Sequence, residues 1–132
     1  MKSLIIITII VFITFFNCKK DDTPRSSILG SWNCEEFSES GKFNYAVSIT
    51  RNNSFPDVDN EYIIYNFSRL GNTENSEVYV REIQKDTLTI TGTVLNISIT
   101  GKGIVANDFS SIDWDYQIHD GITNPIIKAT YY

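Results

Sequence analysis

Ser111-Ile112-Asp113-Trp114-Asp115-Tyr116-Gln117-Ile118-His119 alternates apolar and polar side chains without a break. Ile112, Trp114, Tyr116 and Ile118 fall on one side, and Asp113, Asp115, Gln117 and His119 on the other. Successive side chains of a strand point to opposite faces, so this period of two predicts a strand with one dry and one wet face. Asp120-Gly121 follows as a turn signal and leads into a last strand, Ile126 to Tyr132.

Working outward, the rest of the chain repeats this pattern. Ile28 to Phe37 places Ile28, Gly30, Trp32 and Cys34 on one face. Phe43 to Arg51 sets Tyr45, Val47 and Ile49 against Asn44, Ser48 and Thr50. Glu61 to Ser68 is apolar on both faces, which predicts that part of its outer face is covered. Glu77 to Ile83, a tight turn at Gln84 to Asp86, and Thr87 to Thr91 come next, with Leu88 and Ile90 inward and Gly92 as a break. Val94 to Val105 carries Gly101 and Gly103 on its apolar face, where missing side chains signal a bend or a close backbone approach. Tyr, Phe, Ile, Val and Thr dominate all these runs, and no helical period appears.

Eight short alternating strands with hairpin-sized links predict an all-β fold: a small antiparallel up-and-down barrel, with a β-sandwich as the alternative. Closure removes the edge strands that template aggregation. Eight strands enclose room for side chains or for one small ligand.

Lys2 and Ser3 precede thirteen almost wholly apolar residues, Leu4 to Phe16, which end just before Cys18. That run is too short to cross a bilayer, which needs roughly 20 residues; with its charged start it has the form of a secretory signal. The expected organisation is a signal peptide over 1–17, Cys18 with a polar tether over 18–27, and a barrel domain over 28–132. Extended, the tether reaches about 30 Å. Without residues 1–17 the chain has 10 basic and 16 acidic side chains. Clustered Lys and Arg are missing, so nucleic acid is not an expected partner.

A cysteine at such a processing point resembles the lipidation site of bacterial lipoproteins. Phe15 and Asn17 stand where the usual motif has Leu and a small residue, a looseness common in the Bacteroidota. Lys19, Lys20, Asp21 and Asp22 resemble the acidic tag that exports lipoproteins of these bacteria to the cell surface. Ile28-Leu29-Gly30-Ser31-Trp32 resembles the Gly-x-Trp signature of lipocalins. With Tyr62 to Phe67, Thr87 to Ile90, Ile99 to Gly103, Ile112 to Tyr116 and Ala129 to Tyr131, the order is similar to small lipocalin-like lipoproteins of Bacteroidota. The resemblance implies an outer-membrane, lipid-anchored barrel, displayed on the surface or held on the periplasmic face. Asp86-Thr87-Leu88 also resembles an O-glycosylation site of exported proteins of that group.

With Cys18 acylated, Cys34 has no disulfide partner; its place two residues after Trp32 makes it a small core hydrophobe. Trp32 is expected to plug one end of the barrel, its indole N–H needing an acceptor. Gly30, Trp32, Tyr45, Tyr62, Trp114, Tyr116 and Tyr131 form the plug and candidate ligand-lining set. Asp57, Asp59, Asn60 and Glu61 put oxygens into one loop without the spacing or central Gly of an EF-hand, so a solvated loop is expected. Asp113 and Asp115, about 7 Å apart along a strand, share its wet face with His119 instead of opposing each other across a cleft. No nucleophile–base pair, phosphate loop, zinc spacing or Cys-x-x-Cys is present, which argues against an enzyme. No cofactor or metal is expected. The expected partners are the membrane, through Cys18, with either a small hydrophobic or glycan ligand or an envelope protein.

Overall fold

Eight antiparallel strands follow one another in chain order, and the last pairs back onto the first to close a barrel. The computed structural model describes residues 24–54 and 58–132. The signal segment, Cys18, Lys19, Lys20, Asp21, Asp22 and Asp57 lie outside the described residues. The strands are β1 (Gly30–Ser38), β2 (Gly41–Arg51), β3 (Glu61–Tyr65), β4 (Val78–Gln84), β5 (Thr87–Val94), β6 (Ile97–Val105), β7 (Ile112–His119) and β8 (Ile126–Tyr131). Of the two architectures expected, the barrel is the one observed, with only two short 3-10 turns besides the strands among the described residues.

Every strand points its apolar alternate toward the axis. Trp32 and Cys34, Val47 and Ile49, Tyr62 and Ile64, Leu88 and Ile90, Trp114 and Tyr116, and Ala129 and Tyr131 are all buried. Burial of such side chains contributes about 1.5–3 kcal/mol each. Gly101 and Gly103 show why a side chain is missing there. A Cβ at Gly103 would lie 2.8 Å from the Trp114 ring, and one at Gly101 within 2.9 Å of the Asp115 carbonyl. The backbone of β6 closes against the large rings of β7, to which it pairs through Gly101↔Tyr116 and Gly103↔Trp114.

The largest departures from the boundaries the pattern predicts lie at the ends of β5 and β3. Strand β5 runs through Gly92 to Val94, and the reversal falls on Leu95-Asn96, both in the left-handed region. Positive φ at both central residues is the signature of a type I′ turn, normally written Asn-Gly. Leu95 hides it. Strand β3 stops at Tyr65, because Asn66 turns left-handed and the chain leaves the sheet. The covered outer residue of β3 is Ile63, 8% exposed.

The up-and-down path gives the barrel two mouths. The upper one carries the links 39–40, 66–77, 95–96 and 120–125. The lower one carries the N-terminal segment 24–29, residues 52–54 and 58–60, and the links 85–86 and 106–111.

Candidate functional site

At the upper mouth the chain buries a carboxylate. Glu36 continues the inward alternate of β1 after Trp32 and Cys34, and its side chain is 0% exposed. Tyr45 and Tyr116 both donate their hydroxyls to Oε2, the latter at 2.6 Å. Arg69 Nη2 donates to Oε1 at 3.2 Å. A buried charge survives only when paired and hydrogen-bonded, and here three donors meet one carboxylate.

Arg69 comes from the β3–β4 link, which folds back over the mouth. Phe67, fully buried, is the root of this insertion, packing edge-on to Trp114 at 5.7 Å and against Tyr116 at 4.6 Å. Asn66, Ser68 and Arg69 all take positive φ. The turn is held by Asn66, whose side chain donates to the Ala46 carbonyl and accepts from the Gly71 N–H. The Arg69 guanidinium then lies over the Phe43 ring, 3.7 Å from its centroid. Beside it is an open depression of about 440 Å³, bordered by Ser68, Ile118, Ile127 and the 123–125 link.

Burial dominates the titration of the thiol and the tyrosine hydroxyls around Glu36. It pushes the Cys34 thiol up to about 11, with Tyr45 acting partly against it and Glu36 with it. Burial and the bond to Glu36 hold Tyr116 well above the ordinary tyrosine range. Tyr45 and Tyr131 are raised as well, again chiefly by burial.

The lower mouth is built differently. Trp32 Nε1 donates to the Ile28 carbonyl at 2.8 Å, and Arg25 stacks on the indole at 3.8 Å. Next to this cap opens a pocket of about 220 Å³, with Ile28, Leu29, Tyr62, Leu88, Val105 and Phe109 as its apolar lining. Arg51, Glu82, Lys85 and Asp86 stand at its rim. Tyr62 donates to Glu82 at 3.2 Å, and burial and Glu82 together raise the Tyr62 hydroxyl. Arg51 is tied to Asp59 at 3.1 Å.

Of the seven aromatic and glycine positions singled out from the sequence, Trp32, Trp114, Tyr116 and Tyr131 are each no more than 2% exposed. The rings of Trp114, Tyr116 and Tyr131 pack against one another or against Phe67, so they fill the barrel instead of lining an open cavity. Tyr62 alone of the set borders the lower pocket, Tyr45 joins the Glu36 cluster, and Gly30 (φ +112) sits at the start of β1. Asp113, Asp115 and His119 stay on the outer face with separate partners: Thr130, Lys128 and Asn124. Among the described residues no three metal-ligating side chains come together.

Glu36, Phe67 and Arg69 are absent from the set singled out by sequence. Glu36 had a signal, since it shares the parity of Trp32 and Cys34. Phe67 had a misleading one, since it continues the outward alternate of β3, and Arg69 had none, because an insertion that leaves the sheet has no period.

No protein-family model matches the chain, and no curated protein matches it. A solved structure similar to it is that of a Bacteroides ovatus protein of unknown function, 13% identical with a TM-score of 0.47. The match covers 77% of this chain and 40% of that one, so the chain spans well under half of that protein's length.

Proposed function

We propose that this is a small lipocalin-like lipoprotein of the Bacteroidota type: a non-enzymatic, outer-membrane module tethered through Cys18, which binds a small amphipathic molecule at its lower mouth. The observation that carries the binding reading is the lower pocket, the opening where an apolar lining meets a charged rim. Its volume of about 220 Å³ is below the roughly 300–1,000 Å³ of drug-sized sites, which favours a short chain or single ring with a polar head. A glycan fits less well, because the side chains of Leu29, Leu88, Val105 and Phe109 offer it no hydrogen bonds. The described end of the tether, 24–27, leads into this same mouth, where Ser27 and Leu29 form one wall. The run from Leu4 to Phe16, Cys18 and the Lys19-to-Asp22 stretch supports anchorage and surface export.

Displacement of a fluorescent naphthalene sulfonate from the purified protein tests the reading. Hexanoate and hexyl glucoside are expected to displace it and maltose is not; Phe109→Gly removes one wall and is expected to weaken binding about tenfold. Displacement by maltose alone transfers the site to glycans, and no displacement by any of them ends the small-ligand reading. A protein-partner role has one observation of its own: Tyr79 and Ile83, each 52% exposed, flank a groove of about 360 Å³ on the outer face of β4.

A further inference from the structure

We propose that the upper mouth is a second binding site, for an alkylguanidinium group, and that Arg69 occupies it as a displaceable stand-in. It lies at the opposite end of the barrel from the lower pocket and does not depend on it.

The recognition chemistry is already assembled. Glu36 supplies the counter-charge, Tyr45 and Tyr116 fix its orientation by donating to Oε2, and Phe43 offers a ring face to a cation. Arginine is favoured in carboxylate sites because its planar fork makes two parallel bonds. Arg69 makes one, at 3.2 Å, to Oε1, whose second lone pair is the spare capacity, since Tyr45 and Tyr116 already fill Oε2. The cradle therefore holds its own arginine below the full capacity of that chemistry.

The backbone explains the shortfall. Arg69 itself sits at φ 64, after Ser68 at φ 47, and such conformations are unfavourable for residues with a Cβ. A side chain delivered from this turn approaches the carboxylate at an angle set by the turn. A free guanidinium has no such restriction and can give Oε1 a second N–H bond while lying on the Phe43 face.

Exchange needs no opening of the barrel. The Arg69 side chain is 44% exposed and has the 440 Å³ depression beside it, while Phe67 stays rooted among Trp114 and Tyr116. Rotation of one side chain vacates the cradle, and the depression receives the body of the incoming molecule.

The signature of a stand-in is self-competition. Titration of the full-length chain with n-butylguanidinium, followed by NMR shifts of Phe43, Ser68 and Arg69, is expected to show saturable binding to the wild type. Arg69→Ala is expected to bind at least tenfold more tightly, since the competitor is gone. Arg69→Ala with Glu36→Gln, which keeps an acceptor for the tyrosines, is expected to bind at least tenfold more weakly than Arg69→Ala alone. A second arm uses the amidated tripeptide Gly-Arg-Gly; the tighter probe identifies the source as a free metabolite or an exposed arginine of a peptide. Binding to Arg69→Ala without any to the wild type would show Arg69 to be a fixed structural cap and overturn the proposal. Equal affinities for wild type and Arg69→Ala, or binding that survives Glu36→Gln, would overturn it too.

Discussion

At both mouths of the barrel an arginine lies on an aromatic ring, Arg69 on Phe43 above and Arg25 on Trp32 below. Beneath Arg69 the chain has buried a carboxylate and gathered three left-handed residues. Beneath Arg25 it has buried an indole whose N–H is satisfied by the carbonyl of Ile28, four residues away. The upper closure thus depends on long-range polar bonds between β1, β2, β7 and the β3–β4 link. The lower closure depends on a local bond, and it leaves a pocket open beside it. The barrel itself, made of hydrogen-bonded hairpins and packed rings, is indifferent to this difference. What separates the ends is how much unfavourable chemistry each must offset, and unfavourable chemistry retained in a folded protein marks where function is sought.

The largest expected effect comes from removing the buried charge. Glu36→Ala leaves the Tyr45 and Tyr116 hydroxyls without their acceptor, strands Arg69 and opens a cavity. Each buried hydroxyl left without an acceptor costs about 1–3 kcal/mol, so a loss of about 2–6 kcal/mol is expected. Arg51→Ala at the lower rim breaks an exposed pair with Asp59 and is expected to change stability by less than about 1 kcal/mol. Urea unfolding of the two variants measures the contrast, and equal losses would show that the mouths do not differ as described.

Alkaline pH probes the same contrast without mutation. Folded Tyr116 and Tyr131 have raised pKa values, mainly through burial. The unfolded tyrosines lose protons from about pH 10 upward while the folded ones hold theirs, so unfolding is increasingly favoured as pH rises above that point. The stability is fully present below about pH 10, and by about pH 11 the two groups together are expected to reduce it by about 3 kcal/mol. Tyrosinate absorbance should therefore appear in two phases, exposed tyrosines first and the buried ones only with loss of the barrel's circular-dichroism signal. A single phase, completed while the barrel is intact, would place these hydroxyls in contact with water.

Much of the barrel was legible because a strand writes its burial directly into alternate residues. Ile112 to Tyr116 and Tyr45 to Ile49 are read inward and outward as they occur, and of the two readings of the β6 glycines, a bend or a close approach, the structure shows the close approach. The reading fails where the backbone departs from the pleat. Leu95-Asn96 makes a tight reversal with a residue whose Cβ disfavours it, so Gly92 looks like the breaker. Phe67 continues the apolar alternate of Ile63 and Tyr65 although the chain leaves the sheet after Tyr65, and it is this departure that delivers Phe67 and Arg69. The candidate sites were less legible still. Glu36 obeys the inward parity, yet a charge at a core position is improbable until its partners are known, and those partners lie 9, 33 and 80 residues away.

The smallest expected effect on stability falls at the lower mouth, where Phe109 lines the pocket with its backbone at φ 54. Two changes oppose each other in Phe109→Gly. The half-buried ring loses part of its apolar contact, a loss of about 1–2 kcal/mol at partial burial. Glycine accepts left-handed φ without penalty, which returns about 1 kcal/mol or more. The net change in unfolding free energy is expected to stay within about 1 kcal/mol, while binding at the pocket falls about tenfold. A glycine at Arg69 relieves the same kind of backbone strain, but it also removes the cation that faces Glu36, so no such balance holds at the upper mouth. If Phe109→Gly proves strongly destabilising, the ring is part of the barrel's closure, and the lower mouth serves structure no less than the upper one does.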